Sequence, residues 1–391
     1  MKNLPKYELI TTDEQLAAAC EQLQHLDWIG FDTEFISEKR FETLLCLIQL
    51  SSASGYYIID VLTIKNITPF LAIIQNPNIL KITHAGINDY KVLYQLFGVL
   101  PKNTFDTQIA AGFIGYKYPA SFQFIVERET GVYLHKGLAV TDWEKRPIQI
   151  RQLEYALEDV VYLKKLHEKL SKKINKFARQ DWAQQEFLAM EDEALYLIDP
   201  NKEALANSLM QSLPIEEKVF MLRLYDWRRR QASRLNYSKE MILPTKNINI
   251  ITKNMKHGKE NILINRRISK SIIQKYWDDF KLLYDQPIKP SEVSVLDDIK
   301  PTEEVDTVYE LKMDMLYLMV QYICEKARIS PAFVWTRTSL NRMKTEKEYF
   351  DESLLFPWRL ELLSDAMVNM IQHRHQLEFD IKDKEIALVL P

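Results

Sequence analysis

An apolar strand near the start of the chain has two acidic residues, Asp32 and Glu34, within the stretch Trp-Ile-Gly-Phe-Asp-Thr-Glu-Phe that begins at Trp28. Because successive side chains of a strand point to opposite faces, both acids share one face. Two like charges on an apolar strand are costly unless a cation neutralises them or one acid is protonated. Paired carboxylates suit a hard divalent cation, although Asp-x-Glu alone is a weak indication of a metal site.

Length and composition indicate several domains. The chain has 391 residues, of which 47% are hydrophobic and 27% are charged, which is globular composition in a chain too long for one ordinary core. The net charge of −3 gives no overall argument for a nucleic-acid partner. Three scattered cysteines form no Cys-x-x-Cys pair, and no leader peptide or membrane-spanning run is evident. We therefore expect a cytoplasmic protein without a membrane partner.

Strand patterns come first along the chain, and helical patterns mix in later. Five strands are predicted, at about 7–10, 28–35, 44–50, 56–59 and 79–83. The first domain is therefore predicted to be mixed α/β, with one long helix over about 152–172. Helical sequence and a proline-punctuated stretch then divide the chain into the following predicted domains: 1–210, 211–288, a linker at 289–306, and 307–391.

Two further acids lie on predicted helices. Asp89 falls in a first helical turn, where the helix dipole favours an acid by about 0.3–1 kcal/mol without any catalytic role. Asp159 follows Tyr155 by four residues, so both side chains share one helix face. That face points away from the apolar stripe of the same helix, so Tyr155 needs another neighbour. A hydrogen-bonded Tyr–Asp pair on an exposed face is the alternative to a catalytic role.

These segments together resemble the DEDD family of exonucleases, which is named for four acids in three motifs. Asp32 and Glu34 match the first motif, and Asp89 matches the second. Tyr155 and Asp159 match the third motif, as in the tyrosine-bearing branch. Further stretches resemble ribonuclease D over about the first 210 residues: Asp32–Phe35, Leu47–Leu50, His84–Gly86, Phe105–Gln108, Thr141–Trp143 and Arg146–Pro147.

The resemblance implies a ribonuclease H-like mixed sheet and metal-dependent cleavage of a phosphodiester. The four acids would hold two divalent cations, Mg²⁺ or Mn²⁺, with Asp32 bridging them. Such ions, about 3.5–4 Å apart, stabilise the attacking and leaving oxygens of an in-line displacement. Tyr155 would orient the attacking water, and it need not ionise, because the reference pKa of tyrosine is about 10.

Other polar residues have less defined roles. Phe35, Gln49, His84 and Arg146 are candidates for substrate binding, although a histidine at a strand end is more often structural. Arg146 either holds a phosphate or braces the loop before the last helix of the domain, and the sequence leaves both open. The run His373-Arg374-His375 lacks nearby acids or cysteines, so a solvated helix end is expected there rather than a metal site.

The segment over 213–285 is strongly basic, with 16 Lys or Arg against eight Asp or Glu. Around Tyr225 it resembles the helicase-and-ribonuclease-D C-terminal (HRDC) domain, an all-α bundle that often binds nucleic acid. Arg228, Arg229 and Arg230 are therefore candidates for phosphate contacts, although a charge run is usually only a solvated face. The segment from 307 onward resembles a second, divergent all-α HRDC copy, for which RNA contact and partner binding both stay open.

The resemblance implies a 3'-5' exoribonuclease that shortens single-stranded RNA 3' ends, particularly those of tRNA precursors. One alternative is an exonuclease of the same family that cuts DNA, because sugar discrimination depends on contacts to the 2'-hydroxyl. The other is a non-catalytic nucleic-acid-binding module, against which the presence of all four acids and the tyrosine argues.

Overall fold

The structure is a computed structural model of the chain. It describes residues 4–134, 141–299, 307–345, 356–363, 378–382 and 385–389. The run His373-Arg374-His375 lies outside these residues. Within them, no helix is both long enough and apolar enough to cross a membrane.

The chain forms two compact units. The sheet unit contains Met1–Glu34, Leu45–Tyr196 and Glu304–Pro391, and the helical unit contains Phe35–Leu44 and Leu197–Glu303. The C-terminal helices therefore share a unit with the N-terminal sheet. The domain limits expected from the sequence remain a prediction.

The sheet has six strands: β1 (Glu8–Ile10), β2 (Trp28–Ile36), β3 (Leu44–Ser52), β4 (Tyr56–Asp60), β5 (Leu80–Thr83) and β6 (Thr104–Asp106). Their order across the sheet is β1-β4-β3-β2-β5-β6. β3 and β4 pair antiparallel, whereas β1–β4, β2–β5 and β5–β6 pair in parallel. The predicted mixed α/β fold class is thus confirmed. β6 is an additional strand, and its three residues are too few to show a hydrophobic alternation.

Eight α-helices surround this sheet in the first 196 residues: α1 (Asp13–Leu23), α2 (Thr68–Gln75), α3 (Ile87–Phe97), α4 (Thr107–Gly112), α5 (Phe122–Thr130), α6 (Ile150–Val161), α7 (Leu163–Lys176) and α8 (Gln180–Ala189). Thr12 caps α1 by accepting a hydrogen bond from the Gln15 N–H, as its sequence predicts. Gly98 ends α3 with a positive φ of 66°, which glycine adopts at little cost.

The prediction of one long helix over 152–172 is wrong, because α6 ends at Val161 and α7 begins at Leu163. No proline or glycine marks this break. Leu163 instead packs over Gly30 of β2, where an added Cβ would lie 3.1 Å from the leucine Cδ1. The break thus coincides with close packing against the sheet, which a local helix-stop rule does not detect.

The helical unit is built around one long helix. Its members are α9 (Lys202–Leu205), α10 (Ile215–Leu235), α11 (Lys239–Ile242), α12 (Thr245–Asn254), α13 (Lys259–Ile264), α14 (Lys270–Asp285) and α15 (Pro290–Leu296). Trp227 of α10 packs against Phe280 of α14, with ring centroids 4.9 Å apart. α15 falls within the predicted linker, and its Glu292 forms an ion pair of 2.7 Å with Arg223 of α10.

The C-terminal helices are packed into the sheet unit. They are α16 (Thr307–Ala327), α17 (Pro331–Val334), α18 (Arg337–Thr345) and α19 (Pro357–Leu363). Phe113, at the end of α4, contacts the rings of Phe333 and Trp358 at 4.7 and 5.0 Å. Arg179 donates hydrogen bonds to the carbonyls of Ala327 and Arg328, where α16 ends. Aromatic burial and capped carbonyls therefore attach these helices to the unit.

Two antiparallel strands follow, β7 (Glu378–Lys382) and β8 (Glu385–Val389). The sequence analysis predicted an entirely helical C-terminal segment and did not predict this strand pair. The sequence Glu-Phe-Asp-Ile-Lys alternates polar and apolar residues with the period of a strand.

Candidate metal and catalytic site

Three carboxylates from two elements converge in the sheet unit. Asp32 and Glu34 lie two residues apart on β2, and Asp159 comes from the last turn of α6. One ligand oxygen from each lies within 4.8 Å of the other two. We call these residues the three-acid cluster. An all-oxygen donor set of this kind fits a hard divalent cation such as Mg²⁺ or Mn²⁺.

Burial and mutual repulsion perturb all three acids. Burial, and then the charges of Asp89, Asp159 and Glu34, raise the pKa of Asp32 well above its ordinary value. Burial together with Asp159 raises the pKa of Glu34 to about 8. Burial together with Glu158 raises the pKa of Asp159 to about 7. A bound cation would offset this repulsion, so the electrostatics as well as the donor set fit a metal.

Asp89 lies beside the three-acid cluster without belonging to it. It sits in the first turn of α3 and is buried, and its charge is one cause of the raised Asp32 pKa. Its carboxylate accepts a hydrogen bond from the Thr33 hydroxyl. Burial, opposed by this hydrogen bond, raises the pKa of Asp89 to about 7. Strand alternation places Thr33 on the face of β2 opposite to that of Asp32 and Glu34. The sequence therefore did not indicate Thr33 as a contact of the site.

Asp106 fixes the turn from which α3 starts. Its carboxylate accepts a 2.8 Å hydrogen bond from the Gly86 N–H, which lies just before α3. The same side chain caps α4 by accepting from the Gln108 and Ile109 N–H groups. Asp106 therefore supports the starts of both α3 and α4.

Tyr155 lies next to the cluster, one turn before Asp159 on α6. Burial, followed by the charges of Asp159 and Glu34, raises the Tyr155 pKa above its ordinary value. The hydroxyl therefore stays protonated at neutral pH and can donate a hydrogen bond. Its ring neighbour is the buried Trp143, with centroids 6.2 Å apart. Trp143 supplies the contact that the apolar stripe of α6 does not, and sequence reasoning gave it no role.

Arg146 is bonded within the protein in the loop before α6, as the bracing role considered for it requires. Its Nε and Nη2 donate to the Asp60 carboxylate at 2.7 and 2.5 Å. Its Nη1 donates to the Trp143 carbonyl at 2.7 Å. These donors are engaged inside the protein, and substrate binding by Arg146 stays a prediction. Asp60 has a recognisable signal in the sequence, since it ends an otherwise apolar strand.

The other predicted substrate residues differ in their contacts and burial. His84 is hydrogen-bonded to the Thr107 hydroxyl at 2.9 Å and to the Ala120 carbonyl at 3.2 Å, so its contacts are structural. Gln49 is fully buried on β3, and its amide finds no hydrogen-bond partner in the described part of the chain. Phe35 is half-buried near the end of β2. Substrate contacts by Gln49 and Phe35 stay predictions.

The arginine triplet of α10 separates into one buried and two exposed residues. Arg228 is fully buried, and its guanidinium forms ion pairs with Glu203 and Glu240 and donates to the Leu243 carbonyl. This placement corrects the expectation that Arg228 contacts phosphate, because a fully buried guanidinium has no face for a ligand. Arg229 and Arg230 are exposed and both pair with Asp226, so their phosphate contacts stay predictions.

Comparison with known proteins gives concordant results. Residues 7–175 match a family model described as 3'-5' exonuclease. Ribonuclease D of Escherichia coli K12 is 27% identical over 379 residues, which cover 95% of this chain and 100% of the relative. Ribonuclease D of Zymomonas mobilis is 38% identical over 198 residues, which cover 50% of this chain and 51% of the relative.

Comparison with solved structures agrees with the sequence comparison. The crystal structure of Escherichia coli RNase D, described as an exoribonuclease involved in structured RNA processing, superposes with a TM-score of 0.81 at 26% identity. The match covers 95% of this chain and 100% of that structure. It therefore includes the C-terminal helices as well as the sheet.

Proposed function

Because residues 7–175 match a 3'-5' exonuclease family model and the chain is similar to ribonucleases D over nearly its whole length, we propose that it is a metal-dependent exoribonuclease that removes nucleotides from RNA 3' ends. The observation that carries this proposal is the three-acid cluster, in which three half-buried carboxylates lie together and the pKa of each is raised. Holding such charges together is costly for folding alone. A functional site explains why the chain keeps them.

The cluster would hold two divalent cations, Mg²⁺ or Mn²⁺, through Asp32, Glu34 and Asp159, with Asp89 as the fourth acid. Bound cations supply charge neutralisation and Lewis acidity toward a phosphodiester. Tyr155 keeps its proton at neutral pH and positions a water by donating or accepting a hydrogen bond. Thr33 holds the Asp89 carboxylate in one orientation.

We propose RNA as the substrate, and tRNA precursors as the physiological class. Two things support RNA: the similarity to ribonuclease D extends over nearly the whole chain, and segment 213–285 is strongly basic. In that segment Arg234, Lys253, Arg266 and Arg267 are exposed and have no carboxylate partner among the described residues. They are the side chains we propose for phosphate contacts. The cytoplasmic location expected from the sequence stays a prediction.

End-labelled single-stranded RNA and DNA of one sequence test this function. The full chain is incubated with each substrate in Mg²⁺, in Mn²⁺ or in chelator. We expect metal-dependent, stepwise shortening of RNA from its 3' end, and loss of this activity in Asp159→Asn. Glu154→Gln is the matched control, because it removes an exposed acid from the same helix.

Each outcome has a defined meaning. Equal shortening of DNA would replace the exoribonuclease by a DNA exonuclease of the same family. No shortening of either substrate with either cation would leave the chain a non-catalytic binding module and refute the proposal.

A further inference from the structure

The loop between residues 141 and 149 is fixed to the sheet through one buried carboxylate. Asp60, at the end of β4, has a side chain only 5% exposed, and its partner Arg146 is 26% exposed. The guanidinium engages both carboxylate oxygens, at 2.7 and 2.5 Å. A two-pronged pair of this kind sets the orientation of the guanidinium as well as its position.

The same guanidinium also holds Trp143. Its Nη1 donates to the Trp143 carbonyl at 2.7 Å and to the Lys145 carbonyl at 3.1 Å. From the other side, the buried Gln152 of α6 donates to the Asp142 carbonyl at 3.2 Å. The backbone next to Trp143 is therefore tied both to β4 and to α6.

This arrangement matters because the Trp143 ring lies against Tyr155. The rings are 6.2 Å apart at 32°, and Trp143 is buried. Tyr155 lies on the face of α6 opposite its apolar stripe, so the packing of α6 alone does not fix its ring. A shift of the Trp143 backbone would consequently change where the Tyr155 hydroxyl points.

We propose that Arg146, bound to Asp60, is a positioning residue that acts through Trp143 to hold the Tyr155 hydroxyl in its working orientation. This inference rests on the proposed exonuclease function, in which Tyr155 positions the water. Arg146 itself does not touch substrate. Lysine cannot replace it fully, because an ammonium lacks the planar fork that reaches Asp60 and the Trp143 carbonyl together.

A double-mutant cycle tests the proposed route. Arg146→Gln, Tyr155→Phe and the double variant are compared as full chains on end-labelled single-stranded RNA with Mg²⁺. We expect Arg146→Gln to lower kcat by about 10- to 100-fold, as misplacement of a catalytic group does, with KM changed by less than about threefold. In the Tyr155→Phe background the same substitution should lower kcat by less than about threefold. Arg146→Lys should give an intermediate kcat.

Lys173→Met is the matched structural control. It breaks another pair in the sheet unit, in which Lys173 is 44% exposed and Glu129 is 2% exposed. Its kcat should equal that of the wild-type chain. A raised KM with unchanged kcat in Arg146→Gln would instead indicate direct phosphate binding and overturn the proposal. So would an equal loss of kcat in both Tyr155 backgrounds.

Hydrogen exchange tests, without an activity assay, whether Arg146 holds this loop in place. Backbone amides over 142–155 should exchange faster in Arg146→Gln than in the wild-type chain, and at the wild-type rate in Lys173→Met. Unchanged exchange in Arg146→Gln would overturn the inference. Inactivity of the wild-type chain would refute the proposed function, whereas the exchange result would still decide whether Arg146 positions this loop.

Discussion

The three-acid cluster of the sheet unit and the buried arginines of the helical unit differ in whether their charges have partners. In the sheet unit, Asp32, Glu34 and Asp159 lie together, and the pKa of each is raised by burial and by neighbouring carboxylates. In the helical unit, the buried Arg223 and Arg228 each lie against carboxylates and backbone carbonyls. Compensated charge holds helices together, whereas uncompensated charge weakens the fold and indicates a site for a ligand.

The largest expected effect comes from removing one repelling charge. Glu34→Gln should lower kcat/KM for RNA on the order of 1000-fold, because a ligand to the cation is lost. The same change should raise the melting temperature of the metal-free chain at pH 8, because it relieves repulsion. Activity assays and thermal unfolding in chelator measure both. A variant that is destabilised at pH 8 would contradict the view that the cluster is uncompensated.

Removal of a compensated charge should instead lower the stability of the chain. Arg228→Met removes both ion pairs and the hydrogen bond to the Leu243 carbonyl, and should destabilise the helical unit by about 1–3 kcal/mol, because that buried carbonyl loses its donor. Urea unfolding followed by hydrogen exchange over 215–235 measures the loss. Cleavage of a dinucleotide should persist at the wild-type rate per folded molecule. Unchanged stability would show that the internal pairs do not hold the helices together.

The pH response of stability should separate the units. The folded-state pKa of Glu34 is raised to about 8, so the metal-free sheet unit binds protons more tightly than its unfolded chain. Its stability should therefore fall as pH rises from 6.5 to 8. A hydrogen bond from Arg223 lowers the pKa of Glu292, so that contribution to the helical unit is lost only below the ordinary glutamate pKa of about 4.5.

Hydrogen exchange of β3 and α10 peptides, corrected for intrinsic rates, follows the two units separately. Between pH 6.5 and 8 only the β3 peptides should lose protection, and divalent cation should restore it. Burial lowers the pKa of the half-buried His167 to about 4, so its ring is neutral throughout this range. If protection of the β3 and α10 peptides changed with pH in the same way, the expected difference between the two units would be wrong.

The smallest effect concerns exposed charge in the helical unit. Arg266→Gln with Arg267→Gln should weaken RNA binding several-fold and reduce the slope of log K against log salt by about 1 to 2. Lys281→Gln is the control, because Lys281 is already paired with Asp285. Filter binding over a range of salt concentrations measures the slope. An equal slope for both variants would mean that Arg266 and Arg267 face only solvent.

Much of the fold was predictable because its elements are long or strongly patterned. The β2 alternation identified the strand, and Thr12 identified the start of α1. The three residues of β6 and the break at Tyr162 were not predictable, since neither leaves a local pattern. For the site, the resemblance to the DEDD family indicated five side chains, but not how near each lies to the others.

The sequence by itself determined which residues have the chemistry: acids two apart on a strand share a face, and residues four apart on a helix do the same. Only the tertiary structure decided which of them meet. It placed Asp159 beside the β2 acids and paired Arg146 with Asp60. It also placed Asp89 where its carboxylate accepts a hydrogen bond from Thr33. It also buried Arg228 between two glutamates while leaving its neighbours exposed. Local periodicity fixes the direction of a side chain, whereas its partner comes from another element, often many residues away.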